Sequence, residues 1–311
     1  MAAKFFENLS KKEALVAVGV TIAYLLWAYC FIGIRNDNIA VAGIAIALYF
    51  ISPTTRGIVL SLIFFMLYWW VYDSTRIYPN YLFNPVHIKD IYDLEKSWFG
   101  IQEAGQLLTP NEYFARHEHP FLDVISGLFY LCWIPVPLAY AVWLYFNDKK
   151  LLLEFSFAFF LTNVFGIIVY YLYPAAAPWY VELHGFEKNF NIPGNEAALA
   201  NFDAFFGIDL FHNMYAKNAN VFAAVPSLHS AFPVITLYFG IKKRLKWMNV
   251  VFFIIMIGIW FAAVYSRHHY IIDVVLGFLC AALSLVVYEF LIKSRLVQQF
   301  LERYLRLISR K

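Results

Sequence analysis

The chain has 311 residues, 62% of them hydrophobic, 20% aromatic and only 14% charged, with a net charge of +3. A soluble domain is about half apolar and about a quarter charged, so this surplus of apolar side chains excludes a water-soluble globule and a disordered chain. The weak, scattered positive charge also excludes a nucleic-acid binder, whose basic residues gather on one face, and leaves an all-α integral membrane protein.

Apolar stretches near spanning length predict about eight transmembrane helices, at roughly 14–34, 39–53, 57–72, 121–146, 151–173, 221–240, 248–265 and 270–292. Lys4, Lys11 and Lys12 precede the first stretch, whose length suits a spanning helix better than a signal core. The second and third are short enough to form a re-entrant pair instead. Pro135 and Pro137 read as a kink in the fourth. With the N-terminus inside, 16 of the 24 basic residues fall in the short inner segments and the C-terminal tail, which places both termini in the cytoplasm. Residues 73–120 and 174–220 then form long outer segments, and all eight histidines lie in them or near the outer ends of helices. The first of these, with Trp98, Phe99 and several tyrosines, reads as an interfacial lid or substrate platform. The tail around Phe300–Arg310 reads as a basic amphipathic helix on the anionic inner leaflet.

Cys30, Cys132 and Cys280 sit inside apolar runs and offer neither a disulfide framework nor zinc-ligand spacing. Two other segments carry polar groups into the membrane region, where they are costly unless paired or used. In Ala223-Ala-Val-Pro-Ser-Leu-His229-Ser-Ala a histidine is expected about two turns into an apolar helix. In Tyr265-Ser-Arg-His268-His269-Tyr-Ile-Ile-Asp273, a helix starting near Tyr270 would stack His269 and Asp273 one turn apart. His268 would point about 140° away from the aspartate, so Asp273 serves His269. Two imidazoles at one membrane face, one of them steadied by a carboxylate, are the parts of covalent catalysis. One attacks while the other protonates the leaving group and later takes a proton from the acceptor. A metal site would need further carboxylate or thiolate ligands at suitable spacing, and the helices offer none.

Pro226-Ser-Leu-His229 with His269-x3-Asp273 resembles the second and third signature motifs of the type 2 phosphatidic acid phosphatase superfamily of membrane phosphotransferases. Within it, Tyr171-Leu-Tyr-Pro-Ala-Ala-Ala-Pro-Trp-Tyr180, Phe202-Asp-Ala-Phe-Phe-Gly207, Val221–Ser230 and His268–Asp273 are similar to the inositol phosphorylceramide synthase branch known from fungal aureobasidin targets. The likeness is specific over roughly 170–277. Over 70–125 it is looser, carried by Asp73-Ser-Thr-Arg76 and Asp123, and residues 1–60 show none.

The resemblance implies a six-helix catalytic core within 57–292, preceded by N-terminal helices over 1–56 and followed by a basic cytoplasmic tail over 293–311. It further implies transfer of phosphoinositol from phosphatidylinositol to ceramide or dihydroceramide with release of diacylglycerol. His269 would be the nucleophile that becomes a phosphohistidine, Asp273 its orienting partner and His229 the acid and base. No metal or organic cofactor is expected, because the histidines carry the proton and phosphoryl chemistry. The superfamily's phosphatases carry Lys-x6-Arg-Pro and an arginine six residues before the nucleophile. This chain has no Arg-Pro and places Ala263 at that position. A diester carries one negative charge and needs fewer cations than a monoester, so the departure favours a diester lipid as donor. Arg267 and Arg76 are the candidates for remaining phosphate contacts, the former also readable as an arginine against lipid headgroups. Ser227, His268 and Asp123 are further candidates for the substrate site. Tyr173 belongs either to the interfacial aromatic belt or to the lipid and inositol pocket.

Two alternatives stay open: a lipid phosphate phosphatase or a transferase of another headgroup, and a transporter or scramblase using the histidines as a proton relay. The outer segments hold no Asn-x-Ser/Thr acceptor, which favours a bacterial inner membrane with a periplasmic site over a Golgi membrane with a lumenal one.

Overall fold

The computed structural model describes residues 9–309, and helices dominate it. In chain order these are α1 (Lys11–Phe31), α2 (Asn36–Ile51), α3 (Pro53–Ser61), α4 (Ile63–Ser74), α5 (Lys89–Phe99), α6 (Pro110–Arg116), α7 (Pro120–Leu131) and α8 (Pro135–Asn147). They continue with α9 (Lys149–Leu172), α10 (Pro178–His184), α11 (Ala200–Phe206), α12 (Leu210–Tyr215), α13 (Leu228–Lys242), α14 (Trp247–Tyr265), α15 (Ile271–Leu291) and α16 (Arg295–Ile308). Strands β1 (Ile101–Glu103) and β2 (Gln106–Leu108) form a small antiparallel hairpin.

The chain is an integral membrane protein. Among the described residues, five helical stretches are long and apolar enough to cross a bilayer: α1, α7 with α8, α9, α14 and α15. The pair α3 and α4, bent by 48°, makes a sixth if it counts as one span. Two of the eight expected stretches are shorter than a span for local reasons. Ser52 ends the 16-residue α2 and caps the next helix through the N–H of Thr55, with Pro53 at its first position. The 15-residue α13 starts at Leu228 rather than near 221, because Pro226 cannot donate into a helix, while the Ser227 hydroxyl caps Ser230.

Two compact units divide the chain. One takes the described residues up to Ile77, Ala141–Phe157 and those from Glu289 on. In it, Asp73 is buried and accepts hydrogen bonds from Arg35 (3.0 Å), Arg76 (2.9 Å) and Asn38 (3.2 Å). The tail helix α16 buries Leu301 and Ile308 against Leu153, and the Tyr304 hydroxyl donates to the Leu60 carbonyl at 2.7 Å. Its apolar face is therefore turned largely inward, with Leu296 and Phe300 left exposed.

The other unit takes Tyr78–Tyr140 and Ala158–Tyr288. Tyr130 of α7, Phe202 of α11, Phe211 of α12, Ala262 and Ala263 of α14 and Val274 of α15 share one buried cluster. Ile91 of α5, Ala175, Val225, Tyr270 and Ile272 share another. These clusters bring the starts of α13 and α15 together and cover them with the segment after residue 78.

Candidate functional site

The start of α13 and the link from α14 to α15 meet across an unusually close contact. Gly277 makes this possible, since a Cβ there would collide with the carbonyl oxygen of Ser227. The N–H of Ser227 donates to the Asp273 carbonyl at 3.0 Å, fixing the two segments in register. His229 thus lies in the first turn of α13, not two turns in, because the cap at Ser227 delays the helix.

This contact sets two imidazoles nitrogen to nitrogen, their rings tilted by 54°. His229 Nδ1 lies 3.1 Å from His269 Nε2, and His269 Nδ1 lies 3.4 Å from Asp273 Oδ2. Although α15 begins only at Ile271, Asp273 still reaches back four residues to His269, and its Oδ2 also accepts the Tyr270 N–H at 2.9 Å. His268, His269 and Asp273 are all buried. Burial pushes the His269 imidazole down to about 3, against the pull of a backbone hydrogen bond with Ala224, so the ring is neutral near pH 7. Assigning the His269 proton to Nδ1, the nitrogen 3.4 Å from Asp273, leaves the lone pair on Nε2 and makes His229 Nδ1 the donor between the two rings. One ring therefore presents a lone pair for nucleophilic attack, and the other serves as general acid once its second nitrogen is also protonated, a charge that an anionic phosphate beside it favours.

A sequence model described as the PAP2 superfamily matches residues 89–287, which contains all three of these residues. The phosphoinositol dihydroceramide synthase of Bacteroides thetaiotaomicron is 43% identical over 303 residues, covering 96% of this chain and 99% of that protein. The chain belongs to the PAP2 superfamily. Fungal similarity is more partial. An inositol phosphorylceramide synthase of Candida albicans is 31% identical over 51% of this chain and 35% of its own length. The inositol phosphorylceramide synthase catalytic subunit of Saccharomyces cerevisiae is 26% identical over 84% and 60%. No solved structure matches the chain.

Around the histidine pair of this PAP2 protein, the remaining sequence candidates take varied places. Ser227 is the N-cap of α13, its hydroxyl accepting from the Ser230 N–H and hydroxyl. His268 is sandwiched between the rings of Tyr215 (4.2 Å) and Tyr130 (5.4 Å), and its Nε2 donates to the Glu196 carbonyl at 3.0 Å. Burial, followed by the neighbouring His269, pushes its pKa well down, so it acts as a neutral strut. Arg267 has a left-handed φ of 64° and holds Glu118 at 2.9 Å and Glu182 at 3.1 Å. Asp123 accepts the Tyr265 hydroxyl at 2.7 Å. The Tyr173 hydroxyl donates to Asp90 at 3.2 Å, and its ring stacks on His87 at 3.8 Å. Arg76 lies in the other compact unit, against Asp73.

Trp133 packs edge-on against His229 at 4.5 Å and also lines a shallow apolar hollow bounded by Val136, Pro137, Pro233 and Ile259. The structure also shows two residues that sequence reading missed. Glu95, fully buried, accepts the N–H groups of Ile271 (2.9 Å) and Ile272 (3.1 Å). Asn111, also buried, donates to the carbonyls of Val264 (2.8 Å) and His269 (2.9 Å). A signal for Glu95 existed: with Ile91 one turn before it, it falls on the apolar face of α5.

Proposed function

We propose that this chain transfers phosphoinositol from phosphatidylinositol to ceramide or dihydroceramide and releases diacylglycerol. The observation that carries this reading is the likeness, at 43% identity over nearly both full lengths, to a protein named phosphoinositol dihydroceramide synthase. The facing imidazoles support a two-step route. His269 Nε2 attacks phosphorus while the bond to the diacylglycerol oxygen breaks, and protonated His229 delivers its proton to that oxygen. The nitrogen–phosphorus intermediate leaves the His269 ring cationic, a charge that the buried Asp273 carboxylate offsets. His229, now neutral, takes the proton of the sphingolipid hydroxyl as its oxygen attacks phosphorus and His269 departs. Both substrates are bilayer lipids, so the membrane supplies much of the proximity that the reaction needs. The apolar hollow beside Trp133 offers an apolar surface next to the acid.

Arg267 is the phosphate-contact candidate carried by this unit, and it would have to exchange a carboxylate for the donor's phosphate. The inner bias of basic residues and the bacterial relative support a bacterial inner membrane with the site facing the periplasm. Purified protein in vesicles containing phosphatidylinositol and ceramide is expected to yield inositol-phosphorylated ceramide and diacylglycerol. Free inositol phosphate without a phosphorylated ceramide would contradict the reading and point to a phosphatase.

A further inference from the structure

Residues 78–116 send two buried polar side chains onto the backbone that carries the proposed nucleophile. The N-terminal turn of α15 leaves N–H groups with no helical acceptor. Asp273 takes that of Tyr270, and Glu95 takes those of Ile271 and Ile272, one on each carboxylate oxygen. On the other side of His269, Asn111 bridges two carbonyls, that of Val264 near the end of α14 and that of His269 itself. The His269 N–H donates to the Ala263 carbonyl at 2.9 Å. The link between α14 and α15 is thus held on both flanks by side chains more than 150 positions away in sequence.

We infer that Glu95 and Asn111 are positioning residues, a clamp that fixes the His269 ring against His229 and Asp273. The inference rests on the catalytic reading of that histidine pair. Neither residue faces the reacting atoms. Glu95 holds the first turn that carries Asp273, and Asn111 holds the peptide of His269. A helix N-terminus welcomes a carboxylate, and here the carboxylate is ionisable within the working range. Burial lifts Glu95 to about 7, against the two backbone N–H groups and with a further push from Asp273. The titratable groups that bear on this corner are Asp273 and Tyr270 beside α15, Tyr92 on α5 itself and Glu112 on α6, where Lys96 pairs with Glu112. Only as a carboxylate does Glu95 offer both oxygens as full acceptors. Acidification therefore loosens the start of α15 before it reaches the neutral His269.

The test uses the full-length protein in vesicles, with kcat and KM for lipid transfer followed against pH. For the native protein, kcat should rise through about pH 7 and level off above it. The isosteric Glu95→Gln variant should lose that rise and turn over about 10- to 100-fold more slowly on the plateau, with KM within about twofold, because misplacement of reacting groups falls on kcat. Asn111→Ala should lower kcat by a similar factor and keep the native pH rise. Thermal unfolding in detergent, run alongside, corrects the rates for folded fraction. If Glu95→Gln keeps both the native rise near pH 7 and the native kcat, the clamp is wrong. His269→Ala is measured in parallel: full turnover by that variant would overturn the catalytic reading itself, whereas a dead His269→Ala beside a native-like Glu95→Gln overturns the clamp alone.

Discussion

Two histidine–aspartate pairs lie in the same compact unit, and they differ in what surrounds them. His87 and Asp90 pair three residues apart at the start of α5, with side chains 28% and 54% exposed. His269 and Asp273 pair four residues apart at the start of α15, with side chains 6% and 0% exposed. In the first pair, burial is the largest single influence on the Asp90 carboxyl and raises it, but the contacts with His87 and Tyr173 together outweigh it and hold the carboxyl below its usual range, as for an ordinary surface contact. In the second, an aspartate has been taken out of water, where it is tolerated only with partners, and the histidine it serves faces another imidazole. Spacing makes both pairs, while burial and a facing base suit only one of them to the proposed chemistry.

The largest effect that would sharpen this contrast is at the proposed nucleophile. His269→Ala is expected to reduce lipid transfer by ~10³-fold or more, read as product per folded enzyme in vesicles. Asp273→Asn keeps the shape but leaves the His269 tautomer and cationic ring unsupported, for an expected loss of ~10²–10⁴-fold in kcat. Full turnover by both variants would erase the distinction between the pairs and favour a transport role. A smaller effect is expected from Gly277→Ala, which pushes α15 away from the Ser227 carbonyl. It should lower stability by about 1–3 kcal/mol in a detergent unfolding assay and depress kcat more than KM. Smallest of all is Asp90→Asn, expected to change transfer by less than about threefold, the size typical of an exposed pair. A loss there as large as that of Asp273→Asn would break the comparison.

Much of the site was readable because polar residues are conspicuous in apolar runs. His229, His269 and Asp273 stand out in the sequence for the same reason that they are costly in a membrane, and the structure brings the three together. The helix limits were less readable. Val221–Val225 is apolar enough to extend α13, yet Pro226 and the Ser227 cap start it later, and Ser52 shortens α2 in the same way. Glu95 shows in the sequence only as a carboxylate on the apolar face of α5, and Asn111 not at all; what they hold was not readable, since their partners are backbone groups on distant helices and a backbone N–H or carbonyl leaves no residue pattern. Nor could sequence show that Arg267 would be held by Glu118 and Glu182, or that Arg76 would join the cluster around Asp73 in the other unit. Charge counting finds cations but not the carboxylates that occupy them.

The central claim is that phosphorus is displaced twice, first by His269 and then by the sphingolipid hydroxyl. Phosphatidylinositol made with a single-handed phosphorothioate in its diester tests this without trapping an intermediate, because each in-line displacement inverts the configuration at phosphorus. Two displacements predict that the phosphoinositol sphingolipid retains the configuration of the donor. Inversion would mean direct attack by the hydroxyl in one step, with no phosphohistidine at His269.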